Sequence, residues 1–159
     1  MKGERILFFG AHPDDEWGLA PILAEACIEK GATCHFVVAS DAKSWGCFLV
    51  GGERDLDKCS EIRRGEMKKS AALFGAEAEF YGWEEKFHSH NAAGFERNLR
   101  EWEEAYGGRE GLVQRIAETL VAFHPTQVFA LDPRHGSTCT EPPRRRASRR
   151  RCRQDPARE

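Results

Sequence analysis

Arg5-Ile6-Leu7-Phe8-Phe9-Gly10-Ala11-His12-Pro13-Asp14-Asp15-Glu16 decides the fold. Arg5 to Phe9 is a short apolar run rich in strand formers, and Gly10 cuts it as a buried strand ending in a turn requires. The remainder sets one imidazole and three carboxylates within five residues. Downstream, Leu19, Ile22, Leu23, Ala26 and Cys27 recur at helical spacing between Glu16 and Lys30, and Gly31 stands where a helix C-terminal glycine belongs. His35 to Ala39 reads as a second buried strand, so the chain opens strand, helix, strand.

The alternation continues. Residues 40 to 55 carry Ser40, Asp41, Gly46, Gly51 and Gly52, a long loop of the functional kind. A helix is predicted from about Asp57 to Phe74 with Ile62, Met67, Ala71 and Phe74 inside, and Glu79-Phe80-Tyr81 as a brief third strand. Phe95, Leu99, Trp102 and Tyr106 mark one further amphipathic helix, and Leu112, Ile116, Leu120 and Phe123 another. Gln127 to Leu131 is the fourth strand candidate. Strands alternating with helices imply an α/β fold with a mostly parallel sheet and right-handed crossovers, whose ligands collect beyond the strand carboxyl ends. Both unusual polar clusters, 12 to 16 and 132 to 137, fall at such ends.

The 159 residues fit one domain, and 40% hydrophobic side chains with ten Phe and four Trp suffice for a packed core. No run approaches the ~20 apolar residues of a membrane span, and the apolar start is too short for a signal peptide. A cytoplasmic protein is therefore expected, with no membrane partner. Residues 1–139 hold 16 basic and 23 acidic side chains, whereas 140–159 hold eight Arg and three acids and no large apolar residue. That stretch reads as a disordered Arg-rich tail outside the domain of residues 1–139. The six cysteines show no C-x-x-C pair and no dense framework, so they read as reduced thiols, most of them buried.

Pro13 biases His12 toward extended backbone and is itself pre-set for a first helical turn, which lets the His12 imidazole and the Asp15 carboxylate converge above the sheet. Zinc accepts such donors, and a catalytic zinc usually has three protein ligands and an open position for water. Asp14 would then be free to take that water's proton. Acids at a helix start also cap free N–H groups, but capping needs one acid and no histidine.

On these residues the chain resembles the PIG-L/LmbE family of zinc-dependent N-deacetylases, whose signature A-H-P-D-D-E matches Ala11 to Glu16 throughout. The likeness extends through Glu61 to Glu66 and Ala71 to Gly75, similar to the family's R-x-x-E helix, and reaches Leu131 to Cys139. It implies a Rossmann-like, three-layer αβα fold, incomplete at the C-terminus. It also implies that His12 and Asp15 bind Zn2+ (or another divalent metal such as Fe2+), that Asp14 is the general base and that Arg63 contacts the substrate. The expected partner is a small N-acetyl amino-sugar conjugate, and self-association is left open.

The family's third ligand is the last His of an H-P-D-H-like motif, and where it belongs this chain reads Thr140-Glu141-Pro142-Pro143-Arg144. Codons for these residues, read in a neighbouring frame, can encode Pro-Ser-His-Arg. The reading is a frame shift near codon 139, or a truncation, with His135 as a substitute third ligand and impaired activity as the result. His88 and His90 in a polar loop and His35 in a strand are assigned to surface or packing. Tyr81 to Glu85 departs from the family's usual aspartate after the third strand. Two other classes fit these residues less well. A Rossmann-like nucleotide-binding module lacks G-x-G-x-x-G and would oppose three acids to a pyrophosphate. Nucleic-acid binding through Arg144 to Arg153 would be nonspecific.

Overall fold

In the computed structural model, which describes residues 3–43, 47, 55–86 and 92–131, four parallel strands form one sheet in the order β3-β2-β1-β4. They are β1 (Arg5–Gly10), β2 (Thr33–Ser40), β3 (Glu77–Trp83) and β4 (Gln127–Ala130). The helices are α1 (Ala20–Leu23), α2 (Leu56–Leu73), α3 (Ala92–Ala105) and α4 (Gly108–Phe123). The register sets Phe8 beside Phe36 on one flank of β1 and beside Phe129 on the other.

Period-two alternation divides the core into two layers. Ile6, Phe8, Phe36 and Val38 face one way and pack with Leu23, Ala26, Met67 and Ala71. Phe9, Ala39, Tyr81 and Trp83 face the other and pack with Trp102, Tyr106, Leu112 and Ile116. The result is an αβα sandwich, as the sequence led us to expect.

The local differences have identifiable causes. Between Asp15 and Glu29 the chain is helical but changes pitch: a 3-10 turn Asp15–Leu19, then α1, then a π-helical stretch Ala24–Glu29. Pro21 has no N–H to give, and the preceding Ala20 N–H bonds back to Trp17 O, the tighter i→i−3 pattern. At the far end Lys30 N–H reaches Glu25 O at 2.9 Å, and Gly31 takes φ +67° to leave the helix.

In α2 the inward stripe is Cys59, Arg63, Met67 and Ala71 at strict i+4 spacing, with Ser60 beside it, while Ile62 is exposed. Bonds from Cys59 and Arg63 to neighbouring segments fix that rotation. Asp55 starts the helix by accepting from the backbone N–H groups of Asp57 and Lys58, both at 3.1 Å. In α3, Trp102 packs onto the sheet while Phe95 and Leu99 stay exposed.

The reading of the cysteines as reduced thiols is corrected. Cys27 is bonded to Cys34 and Cys47 to Cys59, with Cα atoms 5.9 and 5.8 Å apart. The turn at Gly31 brings the end of the π-helical stretch back over the start of β2, a proximity that spacing along the chain does not reveal. Cys139 and Cys152 lie outside the described residues, as does the tail of residues 140–159.

Candidate metal and hydrolytic site

The connection from β1 to β2 and on to β3 runs to one side of β1, and β4 returns on the other, so the chain reverses its winding at β1. The crevice outside the carboxyl ends at such a point is where open α/β sheets bind ligands. Residues 11–16 leave β1 there.

Three hydrogen bonds from backbone N–H groups shape that segment. Ser40 N–H at the end of β2 donates to Ala11 O at 3.0 Å, and Asp15 Oδ2 accepts from the N–H groups of Ala11 (2.7 Å) and His12 (2.8 Å). The tight loop needs Gly10, since a Cβ there would stand 3.1 Å from the Asp15 Cβ and 3.0 Å from the Phe8 ring. His12 Nδ1 lies 3.9 Å from Asp15 Oδ2. That separation is too long for a hydrogen bond and short enough for both atoms to reach one cation.

Asp14 occupies φ +133°, a region that side chains other than glycine rarely adopt. Arg63 holds it there: buried on α2, its Nη2 donates to Pro13 O at 2.8 Å and to Asp14 Oδ2 at 3.0 Å. The Asp14 side chain is nonetheless 67% exposed, open to water and to a ligand. Glu16 is buried, accepting from the Ser70 hydroxyl at 2.7 Å and the Asp14 N–H at 3.2 Å, and so pins the segment from below.

Glu85 joins them from the chain just beyond β3, with its Oε2 2.9 Å from His12 Nε2. Burial pulls the His12 pKa down as the largest single influence, but the Glu85 contact together with the Asp15 and Asp14 charges outweighs it and leaves the pKa raised. Asp41, also buried, accepts from the N–H groups of Lys43 and Glu85, and its own pKa is raised chiefly by burial.

The structure thus brings together His12, Asp14, Asp15 and Arg63, all singled out from the sequence, and adds Glu85, which was not. The only signal for Glu85 was its departure from the family pattern after the third strand. Arg63 is engaged with Asp14 and Pro13, which makes it a holder of the segment. His135, His88 and His90 lie outside the described residues. His35 sits on the opposite half of the sheet, 3.0 Å from Glu79.

His12 and Asp15 offer one nitrogen and one carboxylate, a donor pair that fits a divalent cation. Among the described residues no group of three or more His, Cys, Asp or Glu is arranged to hold a metal ion. A cation held by this pair would need a third donor from outside the described residues, where the sequence offers His135. No described helix is long and apolar enough to cross a membrane.

No curated protein matches the chain. A similar solved structure is that of GalB, the 4-carboxy-2-hydroxymuconate hydratase of Pseudomonas putida KT2440, with a TM-score of 0.56 and 21% identity over 82% of this chain. The chain spans 49% of that protein's length, and the likeness is one of fold. The family described as PIG-L, GlcNAc-PI de-N-acetylase, matches residues 7–141. A parallel αβα sheet with His12, Asp14 and Asp15 at its winding reversal, taken with that match, establishes that the chain belongs to the PIG-L family.

Proposed function

We propose that the chain is a metal-dependent hydrolase that removes an acetyl or related acyl group from an N-acetylated amino sugar or a similar conjugate. The observation that carries this reading is the placement of Asp14. Its carboxylate is open to solvent, fixed by Arg63, and joined by the backbone to a donor pair suited to a cation. His12 and Asp15 would hold Zn2+ or Fe2+, with His135 as the third donor. The chemistry a cation would supply between them is polarisation of the amide carbonyl and acidification of water.

Asp14 accepts a proton from the attacking water as the new C–O bond forms. When the C–N bond breaks, it returns that proton to the nitrogen, so one amide and one water yield a carboxylic acid and an amine, which leave at neutral pH as carboxylate and ammonium after the acid's proton passes to the amine. Arg63 keeps the carboxylate in place between the two transfers. With the family's second histidine motif replaced by Thr140 to Arg144, the metal is expected to be held weakly and turnover to be slow.

The test is acetate release from N-acetylglucosamine conjugates by zinc-loaded protein, alongside Asp14→Asn and His12→Ala. Slow release that falls by roughly 10²-fold or more in both variants supports the proposal. Release untouched by either change, or none at all with zinc bound, overturns it.

A further inference from the structure

We propose that Glu85 is a positioning residue that selects the ring tautomer of His12 and so presents the correct nitrogen to the cation. The inference rests on the cation reading above.

The two ring nitrogens of His12 face different groups. Nε2 stands 2.9 Å from Glu85 Oε2, and Nδ1 stands 3.9 Å from Asp15 Oδ2. A neutral imidazole carries a single proton, and a carboxylate against Nε2 favours keeping it there, which leaves the lone pair on Nδ1, the nitrogen beside Asp15. Asp15 Oδ2 already accepts two backbone N–H groups and has no need of a third donor.

Glu85 Oε2 is closed off from solvent, and no well-directed hydrogen bond reaches it from any of the described residues. Its contact with Nε2, at 2.9 Å, is an ion-pair distance. The backbone makes this a built arrangement. Glu85 N–H reaches Asp41 Oδ1 at 3.4 Å, Asp41 N–H donates to Trp83 O at 2.9 Å, and the Ser60 hydroxyl holds Asp41 O at 2.6 Å. The ends of β2 and β3 and the first turns of α2 therefore fix the backbone that carries the Glu85 carboxylate to His12. Metal-binding histidines generally give their other N–H to such a partner, and losing it costs about 10- to 100-fold in metal affinity.

The experiment is a cobalt(II) titration of the full chain by calorimetry, comparing wild type, Glu85→Ala and Glu85→Gln. Nitrogen-15 NMR of the His12 ring in the metal-free proteins at alkaline pH is the second readout. Glu85→Ala is expected to bind cobalt about 10- to 100-fold more weakly and to lose the preference for the Nε2–H tautomer. Glu85→Gln, whose amide oxygen still accepts from Nε2–H, is expected to recover most of both. Wild-type binding left unchanged in Glu85→Ala, or an unchanged tautomer, overturns the role of Glu85 alone. A wild-type chain that binds no cobalt overturns the cation reading and this inference with it.

Discussion

At the scale of single residues, Asp14 combines a backbone that resists it with a guanidinium that retains it. Asparagine matches aspartate in size, and its amide oxygen still accepts a hydrogen bond from Arg63. Asp14→Asn is therefore expected to melt within about 1 kcal/mol of wild type while losing hydrolysis, and calorimetry beside the acetate assay checks both. Gly10→Ala is expected to do the reverse of a mild substitution. Its methyl would meet the Phe8 ring and the Asp15 Cβ, so a loss of about 1–3 kcal/mol in a urea melt should come with weaker cobalt binding. The motif from Ala11 to Glu16 was legible because its chemistry is contiguous in the chain. Glu85 was not, because it meets His12 only after β3 has been laid beside β2, and nothing in the order of residues fixes that distance.

Elements show the same division. Both β1 and β2 were legible as short runs of branched and aromatic residues ended by Gly10 and Ser40, since their central residues, Ile6 to Phe8 and Phe36 to Ala39, are apolar and buried on both faces. The rotation of α2 was not. Its stripe includes Arg63 and Ser60, polar residues whose burial depends on partners in the 13–14 and 41 segments.

The two disulfides close loops of sequence separation 7 and 12. Reduction is expected to cost about 2–3 kcal/mol for each, read as a lower melting temperature in dithiothreitol. Unchanged melting would show that neither bond forms in solution.

The seam between α4 and the sheet carries a pH dependence of definite sign. Burial alone would raise the Glu79 pKa, yet His35 and Arg115 together hold it below the ordinary glutamate value. A depressed carboxylate contributes stability that is present above its unfolded pKa of ~4.3 and is lost as pH falls through the folded one. The acid limb of a thermal-stability profile should therefore be shallower in Glu79→Gln. An identical limb would remove Glu79 from the account.

At the scale of the whole sheet, β4 is an edge strand among the described residues, only four residues long, with Val128 51% exposed, and Val113 and Val121 of α4 are exposed as well. A strand edge beside exposed apolar side chains favours association. Light scattering of the 159-residue chain is expected to rise with concentration, and Val128→Lys to suppress the rise.

The pairing of β1 with β4 also sets the order of assembly. Arg5 N–H bonds to the Thr126 hydroxyl and Thr126 N–H bonds back to Arg5 O, across a separation of 121 residues. Contacts so distant along the chain form slowly, because a large loop must close before they are made. During synthesis β1, β2 and β3 emerge well before β4, so the half of the crevice that holds His12, Asp15 and Glu85 can organise first. Docking of β4 is then the late event, and pulsed hydrogen exchange should show its amides gaining protection after those of β2.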